Sequence, residues 1–208
     1  TGSCHELRAS EQEAILIDCG LFQGQEVEFE TANHRHDQDD NPLISENIPF
    51  AISHIKALIV THVHIDHVGR IPHLLAAGFK GPIYCTEPSA KLFPLVLEDA
   101  VKVGFTRNKA IIARFISTLK EYIVPVPYGK WQQASPKIKV KFKPAGHILG
   151  SAYIICKLSC VGGRPVPEPS IGKPEPPVGG RSRAMNTPKP LAKTIIFSGD
   201  LGAPIPHY

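Results

Sequence analysis

Residues 62–67 hold three histidines and one aspartate in the order H-V-H-I-D-H. They follow the apolar run at residues 57–60, which is typical of a buried strand. Imidazoles this close repel one another when they are charged, and neutral ones lose hydration unless something binds them. A divalent metal ion satisfies their ring nitrogens, so the spacing predicts a metal site.

The spacing inside this motif assigns its side chains to two metal positions. Alternate residues of an extended chain point to the same side, so His62 and His64 can share one ion. Asp66 and His67 lie at the turn into a predicted helix and point to a second position close by. One metal ion therefore accounts for half of the motif, and two ions account for all of it.

Two later loops offer further ligands beside predicted strands. His147 lies in the segment PAGHILGSA, and Asp200 lies in IIFSGDLG. The small neighbours of both residues allow the backbone to approach an ion closely. A carboxylate such as Asp200 can bridge two cations with its two oxygens, as in hydrolytic sites whose ions lie about 3.5–4 Å apart.

Asp18 follows a fourth apolar run, in ILIDCGLFQG. It either bonds the backbone amides of its own turn or orients a ligand histidine from behind the metal site. Its place at a strand end, shortly before a glycine, favours the second role. By contrast, His73 lies on the predicted helix after the motif, and we interpret it as a packed or capping histidine. His5 and His54 belong to no ligand motif.

Hydrophobic patterning predicts a layered α/β domain. Residues 137–143 alternate lysine with apolar residues, which is the period of a half-buried strand with a solvated lysine face. Strands are predicted over residues 14–19, 56–61, 82–86, 138–143, 151–158 and 194–198, and helices over residues 67–77, 89–103 and 108–122.

Two segments interrupt this pattern. Residues 26–47 are polar and are predicted to form a solvated loop, because no flanking element would hold their side chains around a metal. Residues 162–190 contain eight of the twenty prolines and are predicted to form a flexible loop inserted into a hairpin. In the first segment, the side chains that could coordinate a metal but are interpreted as part of this solvated loop are those of His34, His36, Asp37, Asp39 and Asp40.

Composition narrows the class of protein. The chain has 208 residues, of which 42% are hydrophobic and 20% charged, and these values are typical of globular proteins. The net charge of +4 permits a polyanionic partner without requiring one. The apolar runs are too short to cross a bilayer, and no signal peptide opens the chain, so we expect no membrane association and a cytoplasmic protein.

The five cysteines lack C-x-x-C spacing and are predicted to be reduced and mostly buried.

Taken in order, H-x-H-x-D-H, G-H-x-x-G-S-A and F-S-G-D resemble the motifs of the metallo-β-lactamase superfamily. With TGSCHEL, ILIDCGLFQG, THVHIDHVGRIPHL and VPYGKW, the chain is similar to the RNA-processing β-CASP branch of that superfamily. The resemblance covers nearly the whole chain apart from the two interrupting segments. It implies an α/β fold, the αββα metallo-β-lactamase sandwich, with residues 1–208 forming an incomplete N-terminal part of that domain.

The resemblance also implies a zinc-dependent ribonuclease that acts on single-stranded RNA. In this family a hydroxide held between two zinc ions attacks phosphorus while the ions neutralise the developing charge. Asp18, Asp66 and Asp200 are then the expected catalytic carboxylates. The resemblance places one zinc ion at His62, His64 and His147, and the other at Asp66 and His67, with Asp200 as the bridge.

The chain departs from the family pattern in several places. Family members continue into a glutamate-containing E-S-T-Y-G-like motif, the β-CASP cap domain and two later histidines, and their first strand precedes TGSCHEL. We therefore expect residues 1–208 alone to have a defective second zinc site and little or no activity. Two alternatives stay open: another hydrolase of the same fold, such as a thioesterase or glyoxalase-like enzyme, and a non-catalytic interaction module. TGSCHEL and VPYGKW argue against the first.

Overall fold

The computed structural model describes residues 2–21, 48–104, 106–159 and 192–202, and these form two β-sheets and one layer of helices. The first sheet contains β1 (His5–Ser10), β2 (Glu13–Ile17), β3 (Ile55–Ile59), β4 (Ile83–Thr86) and β5 (Ile123–Val126). The second contains β6 (Trp131–Ser135), β7 (Ile138–Pro144), β8 (Ala152–Ser159) and β9 (Ala192–Phe197). The helices are α1 (Ile65–Val68), α2 (Ile71–Ala76), α3 (Glu87–Gly104) and α4 (Lys109–Tyr122).

In the first sheet the strands follow the order of the chain from β1 to β5. The β1–β2 pair is antiparallel, whereas β2, β3, β4 and β5 run parallel. Parallel neighbours need crossover connections, and helices supply them between β3 and β4 and between β4 and β5. The carboxyl ends of β2 and β3 therefore lie at the same edge of the sheet, and the residues that follow them meet there.

The second sheet is antiparallel throughout, and one of its faces packs on the first sheet. On β7 the side chains of Ile138, Val140 and Phe142 are fully buried, while the intervening lysines face away from the sandwich. This confirms the predicted half-buried strand. Phe142 and Ile154 share one apolar core with Ile59 of the first sheet. Burying side chains of this size contributes about 1.5–3 kcal/mol each, which holds the two sheets face to face.

The helices cover the other face of the first sheet. Phe93, Leu97 and Val101 recur at four-residue intervals along α3 and pack in one core with Leu16 and Leu58. The described residues thus form three layers, helices, sheet and sheet. These are three of the four layers of an αββα sandwich, as the sequence predicted.

One predicted helix is wrong in its extent. Residues 67–77 were expected to form a single helix, but α1 ends at Val68 and α2 begins at Ile71. Gly69 and Arg70 separate the two helices, and Pro72 lies in the first turn of α2. Proline is favoured in a first turn because its missing N–H is not needed there, whereas inside a longer helix it would remove a hydrogen bond. A local signal for this break was therefore present in the sequence.

Three strands were missed by the sequence analysis: β1, β5 and β6. The first, with the sequence HELRAS, is mostly polar and exposed at a sheet edge, and β6, with the sequence WQQAS, is also largely polar. The short β5 contains Pro125 and begins directly after α4. Among the described strands, all three lie at sheet edges; β1 and β6 lack apolar alternation, and β5 is a short apolar run interrupted by proline.

The two interrupting segments fall largely or wholly outside the described residues, so the predicted loops at 26–47 and 162–190 stay predictions. The flanking strands β8 and β9 do pair antiparallel, with Ser159 opposite Ala192. Four cysteines are described, and all are free thiols, three of them buried. In the part of the chain that the structure describes, none of the helices is both long enough and apolar enough to cross a bilayer.

Candidate metal centre

Three histidine side chains converge where β3 and the loop before β8 meet. Nε2 of His62 lies 3.1 Å from Nδ1 of His64, and Nε2 of His147 lies 3.2 Å from the same nitrogen. Their separations are close to the edge of a tetrahedron of nitrogens around zinc, about 3.3 Å for bonds of about 2.0–2.1 Å. The three ring nitrogens therefore surround a position that a metal ion could occupy. The spacing had placed His62 and His64 together, and the family resemblance implied that His147 joins them.

Asp200 lies between this group and a second one. Its Oδ2 is 3.8 Å from Nε2 of His62 and 3.6 Å from Nε2 of His147. Its other oxygen, Oδ1, is 3.4 Å from Nε2 of His67. The two oxygens of one carboxylate thus face two different sets of histidine nitrogens, which is the arrangement of a bridging ligand.

The second group contains His67 and Asp66. Nε2 of His67 lies 3.9 Å from Oδ2 of Asp66 and faces Asp200 on its other side. The His67 side chain is buried, whereas about a third of the Asp66 side chain is exposed. Among the described residues this second group has fewer nitrogen donors than the first.

Asp18 hydrogen-bonds the ring nitrogen of His67 that faces away from Asp200. Its Oδ2 lies 2.8 Å from Nδ1 of His67, so this nitrogen carries the proton and Nε2 is left to bind a metal. Thr61 donates to the same carboxylate twice, from its backbone N–H to Oδ1 and from its hydroxyl to Oδ2, each at 2.8 Å. Asp18 therefore hydrogen-bonds outside its own turn, to Thr61 and to His67.

Thr61 was not singled out in the sequence, although it opens the motif THVHIDH. Because its hydroxyl donates to Asp18, its oxygen is left to accept from Nδ1 of His62 at 3.1 Å. This hydrogen bond favours the tautomer of His62 with its proton on Nδ1. The unprotonated Nε2 then faces the site. One hydroxyl and one carboxylate thus set the tautomers of two histidines, one in each group.

Burial and charge shift the pKa values of these side chains in different directions. Burial, reinforced by the neighbouring His67 and His64, lowers the pKa of His62 to about 4. Burial alone would also lower the pKa of His67, but the hydrogen bond and charge of Asp18 outweigh it and raise that pKa. The pKa of Asp18 is raised by its complete burial, against the opposing effect of His67 and Thr61. His62 is therefore neutral at pH 7, so its Nε2 is free to bind a metal ion.

Glycines allow the loops of the site to pack closely. A Cβ at Gly20 would lie 1.6 Å from the carbonyl oxygen of Asp66, and one at Gly202 would lie 1.9 Å from that of Gly146. Because these glycines have no Cβ, the segment after β2 packs directly on the H-x-H-x-D-H motif. The segment after Asp200 packs in the same way on the His147 loop. The sequence analysis missed both glycines as site residues, although each follows a motif aspartate by two positions.

A cavity of about 600 Å³ opens beside the second group. Asp66, His67 and Asp200 line one part of it, and His5 and Phe197 line another. The rings of these last two residues are 5.8 Å apart. One part of the cavity is therefore polar and adjoins the metal positions, and another part is aromatic.

The chemistry of the donor set fits divalent metal ions. The ligand atoms of His62, His64, His147 and Asp200 all lie within 4.8 Å of one another. Neutral imidazoles with carboxylates are the donors that zinc and related ions take in hydrolytic proteins. Of these residues only His62 is buried, and the other three are partly or largely open to solvent, so an ion could enter from outside.

Other histidines lie apart from this cluster. His73 is buried on α2, as expected for a packed residue. Nε2 of His54 lies 3.1 Å from Glu6 and 3.0 Å from the guanidinium of Arg8. His5 borders the cavity without joining the groups of possible ligands.

The fold and this site define the class of protein. The family model of the metallo-beta-lactamase superfamily matches residues 2–178, and the chain belongs to that superfamily. Curated relatives point to its RNA-processing branch, which the motifs had predicted. The chain is 34% identical over 159 residues to ribonuclease TTHA0252 of Thermus thermophilus, an alignment that covers 76% of this chain and 32% of the relative.

Two further relatives extend the same pattern. Transcription termination factor FttA of Methanococcus maripaludis is 36% identical over 144 residues, covering 68% of this chain and 21% of that protein. An Integrator complex subunit 11 homolog of Dictyostelium discoideum is 30% identical over 148 residues, covering 69% of this chain and 19% of that protein. The chain thus spans a third or less of the length of these relatives.

Proposed function

We propose that this chain carries the metal site of a zinc-dependent ribonuclease that hydrolyses phosphodiester bonds of single-stranded RNA. The observation that supports this most directly is the position of Asp200 between His62 and His147 on one side and His67 on the other. A carboxylate in that position could offer one oxygen to each of two metal ions. A cytoplasmic location belongs to the same proposal.

In this proposal each ion has its own set of ligands. His62, His64 and His147 would hold one ion, His67 and Asp66 would hold the other, and Asp200 would contribute a carboxylate oxygen to each group. Zinc, when bound, would lower the pKa of a water and neutralise charge that develops on the phosphate. Asp18 keeps the proton of His67 on Nδ1, and Thr61 does the same for His62, so both histidines present Nε2 to the site.

The cavity supplies room for the substrate. A phosphodiester at its polar part would lie beside Asp66 and Asp200, and the adjoining nucleoside could extend toward His5 and Phe197. The Asp66 carboxylate borders this space and can accept a proton from an attacking water. RNA as the substrate is proposed because the relatives are named as a ribonuclease and as transcription termination factors.

The first test measures metal binding. Replacing His64 with Ala removes the nitrogen that both His62 and His147 face, so it is expected to abolish most tight zinc binding. His54→Ala is the matched control, because His54 contacts Glu6 and Arg8 and not the cluster. Equal zinc stoichiometry in the two variants, measured by elemental analysis after gel filtration, would contradict the assignment.

The second test measures activity in the whole protein with labelled single-stranded RNA and matched zinc. Cleavage should be lost in Asp200→Ala and Asp66→Ala and kept in Asp99→Ala, which removes an exposed carboxylate on α3. A preference for thioesters or other small substrates over RNA would favour the alternative hydrolases.

A further inference from the structure

The loop that carries His147 is organised by Ser151. The hydroxyl oxygen of Ser151 accepts from the backbone N–H groups of His147 at 3.1 Å and Ile148 at 3.2 Å. Its own N–H donates to the carbonyl of Ile148, and its carbonyl accepts from the N–H of Ala145. Ser151 thus closes residues 145–151 on themselves and fixes the backbone from which the third histidine projects.

Three hydroxyl groups, from β4, α3 and the turn after β5, anchor this loop. The Tyr128 hydroxyl donates to the carbonyl of Ser151 at 2.9 Å. The neighbouring carbonyl of Gly150 accepts from Thr86 at 2.7 Å and from Ser89 at 3.0 Å. Tyr128 lies in the turn between β5 of the first sheet and β6 of the second, so its position is set by both sheets.

We propose that Tyr128 is a positioning residue for His147, and that its hydroxyl tunes the metal affinity of the three-histidine group through Ser151. This inference rests on the proposed metal site. It assigns a role to the motif VPYGKW, which lies between the two sheets in sequence and contributes no ligand.

The geometry explains why His147 needs such an anchor. The side chain of His62 is almost fully buried shortly after the end of β3, and Thr61 holds its ring, so the packed interior fixes its position. That of His147 is 27% exposed and projects from a loop. A loop ligand that is free to move has to be ordered when the metal binds, and that cost weakens binding. Burial raises the pKa of the Tyr128 hydroxyl, so it remains a donor at neutral and mildly alkaline pH.

The experiment compares Tyr128→Phe with Tyr84→Phe. Tyr84 is a matched control, because its hydroxyl likewise donates to a backbone carbonyl, that of Gln133 on β6 at 3.3 Å, away from the His147 loop. Zinc is titrated into each metal-free protein against a chromophoric chelator, with no RNA present. Tyr128→Phe should weaken binding by about tenfold, as is usual for partners that orient a ligand, and Tyr84→Phe should leave the affinity unchanged.

Cobalt(II) absorption adds a readout that a loss of general stability would not move. The visible bands of the cobalt-loaded protein should shift in Tyr128→Phe and coincide with wild type in Tyr84→Phe. Wild-type zinc affinity and cobalt bands in Tyr128→Phe would overturn the proposal, and so would equal losses in the two variants.

Ser151→Ala tests the same link from the other side and keeps the proposal falsifiable if Tyr128→Phe fails to fold. It removes the oxygen that accepts from His147 and Ile148, and it should weaken zinc binding by about 10- to 100-fold. Unchanged affinity in Ser151→Ala would show that order in this loop does not control His147. Every readout here uses the metal alone. If the unmutated protein did not cleave RNA, the proposed function would be contradicted, but this inference about metal binding would still stand.

Discussion

Oδ2 of Asp18 lies 2.8 Å from Nδ1 of His67, and the same carboxylate accepts from the N–H and the hydroxyl of Thr61. Asp18 adopts a left-handed backbone conformation, with φ of 61°, that few residues other than glycine take. Aspartate tolerates it better than most. This strained turn at the end of β2 points the carboxylate into the space between Thr61 and His67, so three donors converge on two oxygens.

Asp18→Asn should therefore disrupt the second metal position while keeping the shape of the side chain. The amide has one acceptor oxygen, whereas the carboxylate has two. The NH₂ group of the asparagine must therefore face a donor of Thr61 or His67, and that hydrogen bond is lost. Metal affinity at that position should fall about 10- to 100-fold. The free energy of unfolding of the metal-free protein should fall by about 1–3 kcal/mol, as expected for buried groups left unpaired.

Metal stoichiometry and urea denaturation measure the two effects of Asp18→Asn. Asp99→Asn, which changes an exposed carboxylate on α3, is the control and should alter neither. If Asp18→Asn kept wild-type metal content and stability, the orienting role of Asp18 would be wrong.

Gly202→Ala should displace the His147 loop. Its Cβ would lie 1.9 Å from the carbonyl oxygen of Gly146 and 2.7 Å from the backbone nitrogen of His147, so the loop has to move. We expect at least a tenfold loss of zinc affinity at the three-histidine group. Gly104→Ala at the end of α3 is the control, because a Cβ there meets nothing within 4 Å. Chelator competition gives both values, and equal affinities would mean that the loop adapts.

His62 should make the stability of the metal-free protein depend on pH. Its pKa is lowered from 6.5 to about 4 in the folded state, so between these values the unfolded chain binds the proton that the folded protein lacks. Stability from this group is fully present above pH 6.5 and is lost as the pH falls toward 4. His67, whose pKa is raised, acts in the opposite sense, and its contribution is lost as the pH rises above 6.5.

Urea denaturation in EDTA between pH 4 and 6.5 measures this dependence. The free energy of unfolding should rise with pH over that window in wild type and rise less steeply in His62→Gln. His54→Gln serves as the control for the loss of an imidazole outside the cluster. Identical slopes in wild type and His62→Gln would show that His62 titrates normally.

Deleting residues 163–189 should leave zinc binding nearly intact. The strands on either side of this segment pair with each other, with Ser159 opposite Ala192, so a short glycine-rich link can join them. The cost of closing a surface loop changes slowly with its length. Zinc titration and near-UV circular dichroism compare the shortened protein with wild type. Loss of both signals in the shortened protein would show that the segment packs against the domain.

The sequence by itself determined the residue types of the candidate ligands and most of the strands beside them. The spacing of His62 and His64, the small neighbours of His147 and Asp200, and the buried runs before Asp18 and His62 are local signals, because a side-chain pattern and the period of one strand depend on adjacent residues. The mostly polar edge strands β1 and β6 lacked such a signal, and in β5 proline and short length obscured it, so pairing with neighbouring strands decides all three.

Only the tertiary structure decided how the ligands meet. The two oxygens of Asp200 face different histidines because β9 pairs with β8 and the sandwich brings that edge beside β3. The role of Asp18 was left open until the parallel pairing of β2 with β3 placed it opposite Thr61 and His67. The contact of Tyr128 with Ser151 joins residues 23 positions apart in the sequence. Such contacts depend on the packing of whole sheets, and no local pattern encodes the distance between two atoms that the fold alone brings together.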